Sequence, residues 1–187
     1  MRDLVHLLFE IGHLKRVARS GWWMAGVRDP ESVAEHSFRC AWIGYLLARR
    51  DPRCDPSRVV MMCLLNDLHE ARINDLHKVG QGYIDFPAAE TRAFRDLAAT
   101  VPEGRELEAL HLEFQAGETP DARLARDADR LECAFQAREY LYEGHPGCGP
   151  WFEHTRAALR TDLGRELFDA LAEAEPDAWF RDLPRGR

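Results

Sequence analysis

A chain of 187 residues, 45% hydrophobic and 30% charged, is long enough to bury a core and too apolar for disorder. Its formal charge of −7 with histidine neutral opposes a long grip on nucleic acid, though a local basic pocket for one phosphate is compatible with it. No stretch is long and apolar enough to cross a bilayer, and the amphipathic start is unlike a secretion signal, so a cytoplasmic protein is expected.

Leu4, Leu7, Leu8, Ile11 and Leu14 form a first helical stripe, and Arg19-Ser20-Gly21-Trp22-Trp23 follows as a loop. Ser32 and Glu35 have capping-box spacing, so a second helix starts there and runs to about Arg50. Asp55-Pro56 supplies an N-cap and a proline at the first helical position. The helix it opens is apolar on every side over Val59–Leu65, as in a core, and is expected to continue through Asn66, Asp67 and Glu70. Gly80 to Pro87 is a loop, with helices around Ala88–Thr100 and Arg105–Gln115. Thr119-Pro120-Asp121 starts a long helix that ends near Gly144, and a final helix covers about Pro150–Ala172. With no segment of period two long enough for a sheet, one all-α domain spanning 1–187 is expected. Cys40, Cys54, Cys63, Cys133 and Cys148 lack close-paired metal spacing and are expected as free thiols, mostly buried in apolar helix faces.

Several polar residues on apolar helix faces stand out as candidates for a metal site. His36 shares a stripe with Cys40, Ile43 and Leu47, so its ring points inward, either as a core histidine or as a ligand. At about 100° per residue Asn66, Asp67 and Glu70 form one connected face at the polar end of the oily helix. Buried carboxylates there need a cation or a hydrogen-bond network. Of the two aspartates on the long helix, Asp127 has Arg123 and Arg130 at ion-pair spacing and is expected at the surface. Asp129, beside Ala125, Cys133, Gln136 and Tyr140, is the better ligand. Together these residues suggest a metal-dependent hydrolase.

In this order and spacing the segments Leu14–Trp22, Pro30–Ser37, Asn66-Asp67-x-x-Glu70 with Asp75, and Asp129 resemble the HD-domain metal-dependent phosphohydrolases, and more closely their 5′-deoxynucleotidase branch. The resemblance covers about 14–140. It implies an all-α HD-domain bundle holding one divalent metal through His36, position 66 with Asp67, and Asp129. The family has histidine where this chain has Asn66, and glycine where it has Asn74. An amide oxygen is a weaker, harder ligand than imidazole, so the metal's identity stays open among cobalt, manganese, iron, nickel, zinc and magnesium. His69, one turn on, replaces the missing histidine only if helix or metal shifts. The resemblance gives Glu70 and Asp75 acid/base roles, Arg19 the grip on phosphate and Trp22 the wall of a sugar pocket. His77 and Lys78 are either a second phosphate contact or a solvated pair.

The expected function is hydrolysis of a nucleoside 5′-monophosphate or a similar small phosphate ester. The first rival is a nucleotide-binding or regulatory protein that has lost turnover through Asn66; the second is a plain helical interaction protein. Expected partners are a small phosphorylated substrate, with no long nucleic acid and no membrane, and a homodimer is allowed.

Overall fold

The computed structural model describes residues 1–181 and 183; residues 182 and 184–187 of the expected 1–187 span lie outside the described residues. The described residues are helical with no β-strand, apart from one isolated antiparallel bridge between Ala18 and Ser32. The architecture is the all-α bundle that the periodicity predicts. No helix among the described residues is long and apolar enough to cross a membrane.

Helix α1 (Arg2–His13) packs at the periphery. Leu7 and Leu14 are buried, whereas Leu4 and Leu8 are exposed, so only half of the expected stripe is used. Where a loop was expected, α2 (Gly21–Met24) forms around buried Trp22, whose ring meets Tyr140 edge-on at 5.3 Å. Helix α3 (Val33–Ala48) starts at the expected capping box: the Ser32 hydroxyl accepts the Glu35 N–H, and the Glu35 carboxylate accepts the Ser32 N–H. Asp55 and Pro56 open α4 (Pro56–Leu65), again as expected.

The oily helix departs from expectation twice. Met61 and Leu64 are exposed, so it is buried on one side only, through Val59, Met62, Cys63 and Leu65. It also stops at Leu65, before the polar motif. Asn66–His69 form tight turns in which the Leu65 and Asp67 carbonyls accept the N–H groups of Leu68 (3.2 Å) and Glu70 (3.0 Å). A short helix α5 (Glu70–Ile73) follows. Side-chain partners from other elements hold Asn66 and Asp67 and override continuation of the helix. Asn74 then turns the chain at φ 59° and ψ 165°, a conformation natural only to glycine.

The expected 80–87 loop is shortened at both ends, by the one-turn α6 (Lys78–Gln81) and by the start of α7 (Phe86–Ala98), after which comes α8 (Gly104–Ala116). Gly117 closes α8 in the left-handed conformation at φ 63°. Thr119 caps α9 (Pro120–Tyr142), the central helix, which touches α3, α4, α8, α10 and α11. Ala122, Ala125, Ala128, Ala134 and Ala137 are fully buried and let neighbouring backbones approach. Between α3 and α4 the same is achieved by Gly44, where a Cβ would meet Cys63 Sγ and Val59 Cγ1 at 2.9 Å.

The expected single C-terminal helix is two, α10 (Gly149–Ala158) and α11 (Asp162–Glu173), with a short α12 (Ala178–Arg181) after them. Asp127 explains the break, and its expected surface position is wrong. Its fully buried carboxylate accepts the N–H groups of Arg160 (3.0 Å) and Thr161 (2.7 Å) and the Thr161 hydroxyl (2.7 Å). Those long-range donors compete with continuing the helix. All five cysteines are free; Cys40, Cys63 and Cys148 are buried, while Cys54 and Cys133 are partly exposed.

Candidate functional site

The bridge between Ala18 and Ser32 brings the segment after α1 against the start of α3, fixing the backbone on either side of Arg19. From there the Arg19 guanidinium reaches Asp67 Oδ2 at 3.2 Å, Asp75 Oδ2 at 3.9 Å and Cys133 Sγ at 3.4 Å. Asp67 belongs to the turn after α4 and Asp75 to the segment after α5; Asp75 also accepts the Ser20 N–H at 2.9 Å. The backbone twist at Asn74 aims Asp75 back at the α2 end of the site. A cavity of about 470 Å³ opens here, lined by Arg19, Trp22, Asn66, Asp67, Glu70 and Asp75. His77, Lys78 and Asp129 line it too, so every sequence-selected residue except His36 reaches the wall.

His36, only 1% exposed, lies beneath that wall. Its Nε2 stands 3.0 Å from Asp129 Oδ1 and 3.4 Å from Asp67 Oδ2, and its Nδ1 meets the buried Glu132 carboxylate. Burial and Arg19 both oppose charge on the ring, but Glu132 and Asp129 outweigh them and hold its pKa well above the ordinary histidine range. With a carboxylate facing each ring nitrogen, the charged form of His36 is the favoured one.

Three donor atoms, from His36, Asp67 and Asp129, lie within 4.8 Å of one another. One imidazole and two carboxylates suit a divalent cation, and Nδ1 anchored on a carboxylate leaves Nε2 for that ion. The donor set fits. Asn66 stands beside it, its Nδ2 donating to Asp129 Oδ1 at 3.2 Å, so the amide acts as a donor to the ligand set. His69 does not substitute at this position; its ring turns away, toward Glu90 and His111.

Glu132 escaped the sequence analysis, as did Arg39, which donates to Glu132 Oε1 at 2.9 Å and is itself held by Glu139 and Gln136. The available signal was the i, i+3 spacing of Asp129 and Glu132 on one helix. Glu31 was missed as well. It accepts the Trp22 indole N–H at 2.9 Å, and burial together with the nearby Glu132 charge lifts its pKa to about 7. Trp22 is thereby both packed edge-on against Tyr140 and tethered at the cavity edge.

The acids around the cavity titrate unlike surface carboxylates. Burial, then Asp67, pushes the Glu70 pKa well above its usual range, and one of its oxygens has no hydrogen-bond partner. Burial also raises Asp75 and outweighs Arg19. Glu70 and Asp75 thus hold their protons more tightly than surface carboxylates do, beside a guanidinium suited to phosphate. His77 is mainly an N-cap, its Nδ1 accepting the Gly80 N–H at 3.2 Å, and Lys78 contacts Gln81 at 3.0 Å.

The HD domain family profile matches residues 11–167. The 5′-deoxynucleotidase HDDC2 of Bos taurus is 31% identical over 150 residues, covering 78% of this chain and 72% of the relative. A conserved hypothetical protein from Pyrococcus furiosus superposes with a TM-score of 0.80 at 30% identity, over 91% of this chain and 99% of its own. A structure described as a predicted metal-dependent phosphohydrolase from Magnetospirillum magnetotacticum gives a TM-score of 0.73 at 27% identity, over 92% and 90% of the two chains.

Proposed function

Since the chain belongs to the HD-domain family, we propose that it is a metal-dependent phosphohydrolase acting on a nucleoside 5′-monophosphate, deoxynucleotides first. The observation that carries this proposal is the single cavity onto which Arg19, Asp67, Glu70, Asp75 and Asp129 converge. Names of the relatives support the choice of substrate. A divalent ion held by His36, Asp67 and Asp129 would neutralise charge on the phosphoryl oxygens and acidify a water nucleophile. Glu70, beside Asp67 on the same cavity wall, would be the group placed to accept a proton from a water nucleophile. Asp75, its carboxyl raised by burial, returns a proton to the departing ribose oxygen. Arg19 exchanges its contacts with Asp67 and Asp75 for a forked hold on phosphate. Trp22 and Trp151, with centroids 5.7 Å apart, wall the nucleoside end, and Lys78 offers a further cation at the cavity.

A second proposal rests on Asn66. Its amide nitrogen faces Asp129, which leaves one fewer ligand for an ion, so the chain would bind nucleotide with weakened or absent turnover. One experiment separates the two: phosphate release from nucleoside 5′-monophosphates with cobalt, manganese or magnesium, for the native chain beside Asn66→His. Turnover by the native chain supports the enzyme; turnover only in Asn66→His, with nucleotide binding by both, supports the binding protein. No release and no binding by either overturns both.

A further inference from the structure

Arg19, Trp22 and Glu31 close a ring of three hydrogen bonds. The Arg19 N–H donates to the Glu31 carbonyl at 2.9 Å, and the Trp22 N–H donates to the Arg19 carbonyl at 3.1 Å. The Trp22 indole N–H completes the ring by donating to Glu31 Oε1 at 2.9 Å. Tyr140 pins the ring from α9: its hydroxyl accepts the Glu31 N–H at 2.8 Å, and its aromatic ring packs edge-on against Trp22. Arg19 and Trp22 line the cavity, whereas Glu31 does not.

We propose that Glu31 is a positioning residue for the nucleotide, locking the phosphate grip of Arg19 and the nucleoside wall of Trp22 into one unit. The inference rests on the reading of the cavity as a nucleotide site. A buried indole N–H needs an acceptor, and any neutral amide or backbone carbonyl would meet that need by itself. Glu31 does more, because the same residue also takes the backbone N–H of Arg19. Displacing either substrate-facing residue therefore strains a bond of the other. Tyr140 extends the lock toward the proposed metal ligands, since it stands about three turns along α9 from Asp129. One stiff helix thus sets the spacing between the Trp22 wall and the ion site. Groups ordered before the substrate arrives lose less freedom when it binds.

Glu31 acts through Trp22, at the nucleoside end and away from the reacting bond. Its loss should therefore weaken ground-state and transition-state binding alike, raising KM while leaving kcat nearly unchanged.

The test compares Glu31→Ala, Glu31→Leu and Glu31→Gln, alone and in a Trp22→Phe background, each with parental circular dichroism. KM and kcat are measured for deoxyadenosine 5′-monophosphate with cobalt, or Kd by calorimetry where the parent does not turn over. Glu31→Ala and Glu31→Leu should raise KM or Kd about tenfold, the size of one hydrogen bond to a charged group, with kcat changed by less than about threefold. Glu31→Gln still accepts the indole N–H and should stay within about threefold of the parent. In the Trp22→Phe background, which has no indole N–H, Glu31→Ala should cost almost nothing more, a coupling that a general loss of stability would not produce. The Trp22 indole proton, identified in the NMR spectrum by its loss in Trp22→Phe, should exchange with solvent faster in Glu31→Ala than in Glu31→Gln. Parental affinity in both Glu31→Ala and Glu31→Leu, or an equal loss with and without Trp22, overturns this inference alone. No nucleotide binding by the parent overturns the functional reading and this inference with it.

Discussion

His36 and the pair His69 and His111 are buried to nearly the same degree, 1% against 3% exposed, yet they are treated oppositely. His36 meets a carboxylate at each ring nitrogen and is held in its charged form. His69 and His111 sit among Phe86, Phe94 and each other, and are held neutral. Burial alone works against charge in all three; the partners decide the outcome. A buried histidine is therefore a poor signal until its neighbours are known.

The largest effect should come from breaking the charged side. Asp67→Ala or His36→Ala should abolish ion binding, because each supplies one of three donor atoms. Asp127→Ala should spare that ion and destabilise the fold instead, since its buried carboxylate holds the Arg160–Thr161 turn whose Thr161 caps α11. Elemental analysis paired with thermal unfolding separates the two, and full metal occupancy in Asp67→Ala would sink the assignment.

Glu132→Ala should come next, leaving His36 and Arg39 without their shared buried partner. Stripping one member from a buried charge pair costs about 3–5 kcal/mol. Metal affinity should fall about 10- to 100-fold as the imidazole loses its orienting carboxylate. Glu132→Gln should recover part of the loss; unchanged metal affinity in both would deny Glu132 any positioning role.

The neutral side can be read through pH. His111 has a folded pKa of about 4 against roughly 6.5 unfolded. Below pH 6.5 the unfolded chain takes up a proton that the folded chain refuses until about pH 4, so stability falls as pH drops through that window and is unaffected above it. The integrated penalty is about 3 kcal/mol. Urea unfolding at pH 7.5 and 4.5 should show a smaller loss in His111→Phe than in the parent. Equal losses would mean that His111 titrates normally in the fold.

The smallest effect should be a gain. Asn74→Gly removes a side chain from φ 59°, ψ 165°, and should raise stability by about 1 kcal/mol, the relieved strain exceeding the added unfolded-state freedom. Activity, if the site is catalytic, should hold, because Asp75 keeps its bond from Ser20. A lower unfolding temperature in Asn74→Gly would show that the asparagine is not strained.

What the sequence discloses follows the range of the forces involved. The boxes at Ser32 and Glu35, at Asp55-Pro56 and at Thr119-Pro120 work within a few residues, and the helices start where those residues place them. The grouping of Arg19, Asp67, Glu70, Asp75 and Asp129 was legible through family resemblance and helix faces, and they do meet at one cavity. Contacts spanning tens of residues left no local trace. Asp127 looked like a surface aspartate because its donors, Arg160 and Thr161, lie beyond a turn that no periodicity marks. Glu132 and Arg39 went unnoticed for the same reason, each being explained only by a residue on another helix. The early end of α4 is likewise a tertiary event, imposed where Arg19 and Asp129 take hold of Asp67 and Asn66.

Charges alternate in sign along the line Asp129, His36, Glu132, Arg39, Glu139, which crosses from the cavity to the outer surface between α3 and α9. Its last member is 38% exposed, at a position that would ordinarily drift freely through evolution. Replacing Glu139 loosens Arg39, which loosens Glu132, which alters how firmly the imidazole is presented to an ion. Substitutions at Glu139 and Gln136 should therefore be epistatic with those at the ligands, harmless with one metal and costly with another. A lineage could retune its metal preference from the outside of the bundle without changing a residue that touches the ion.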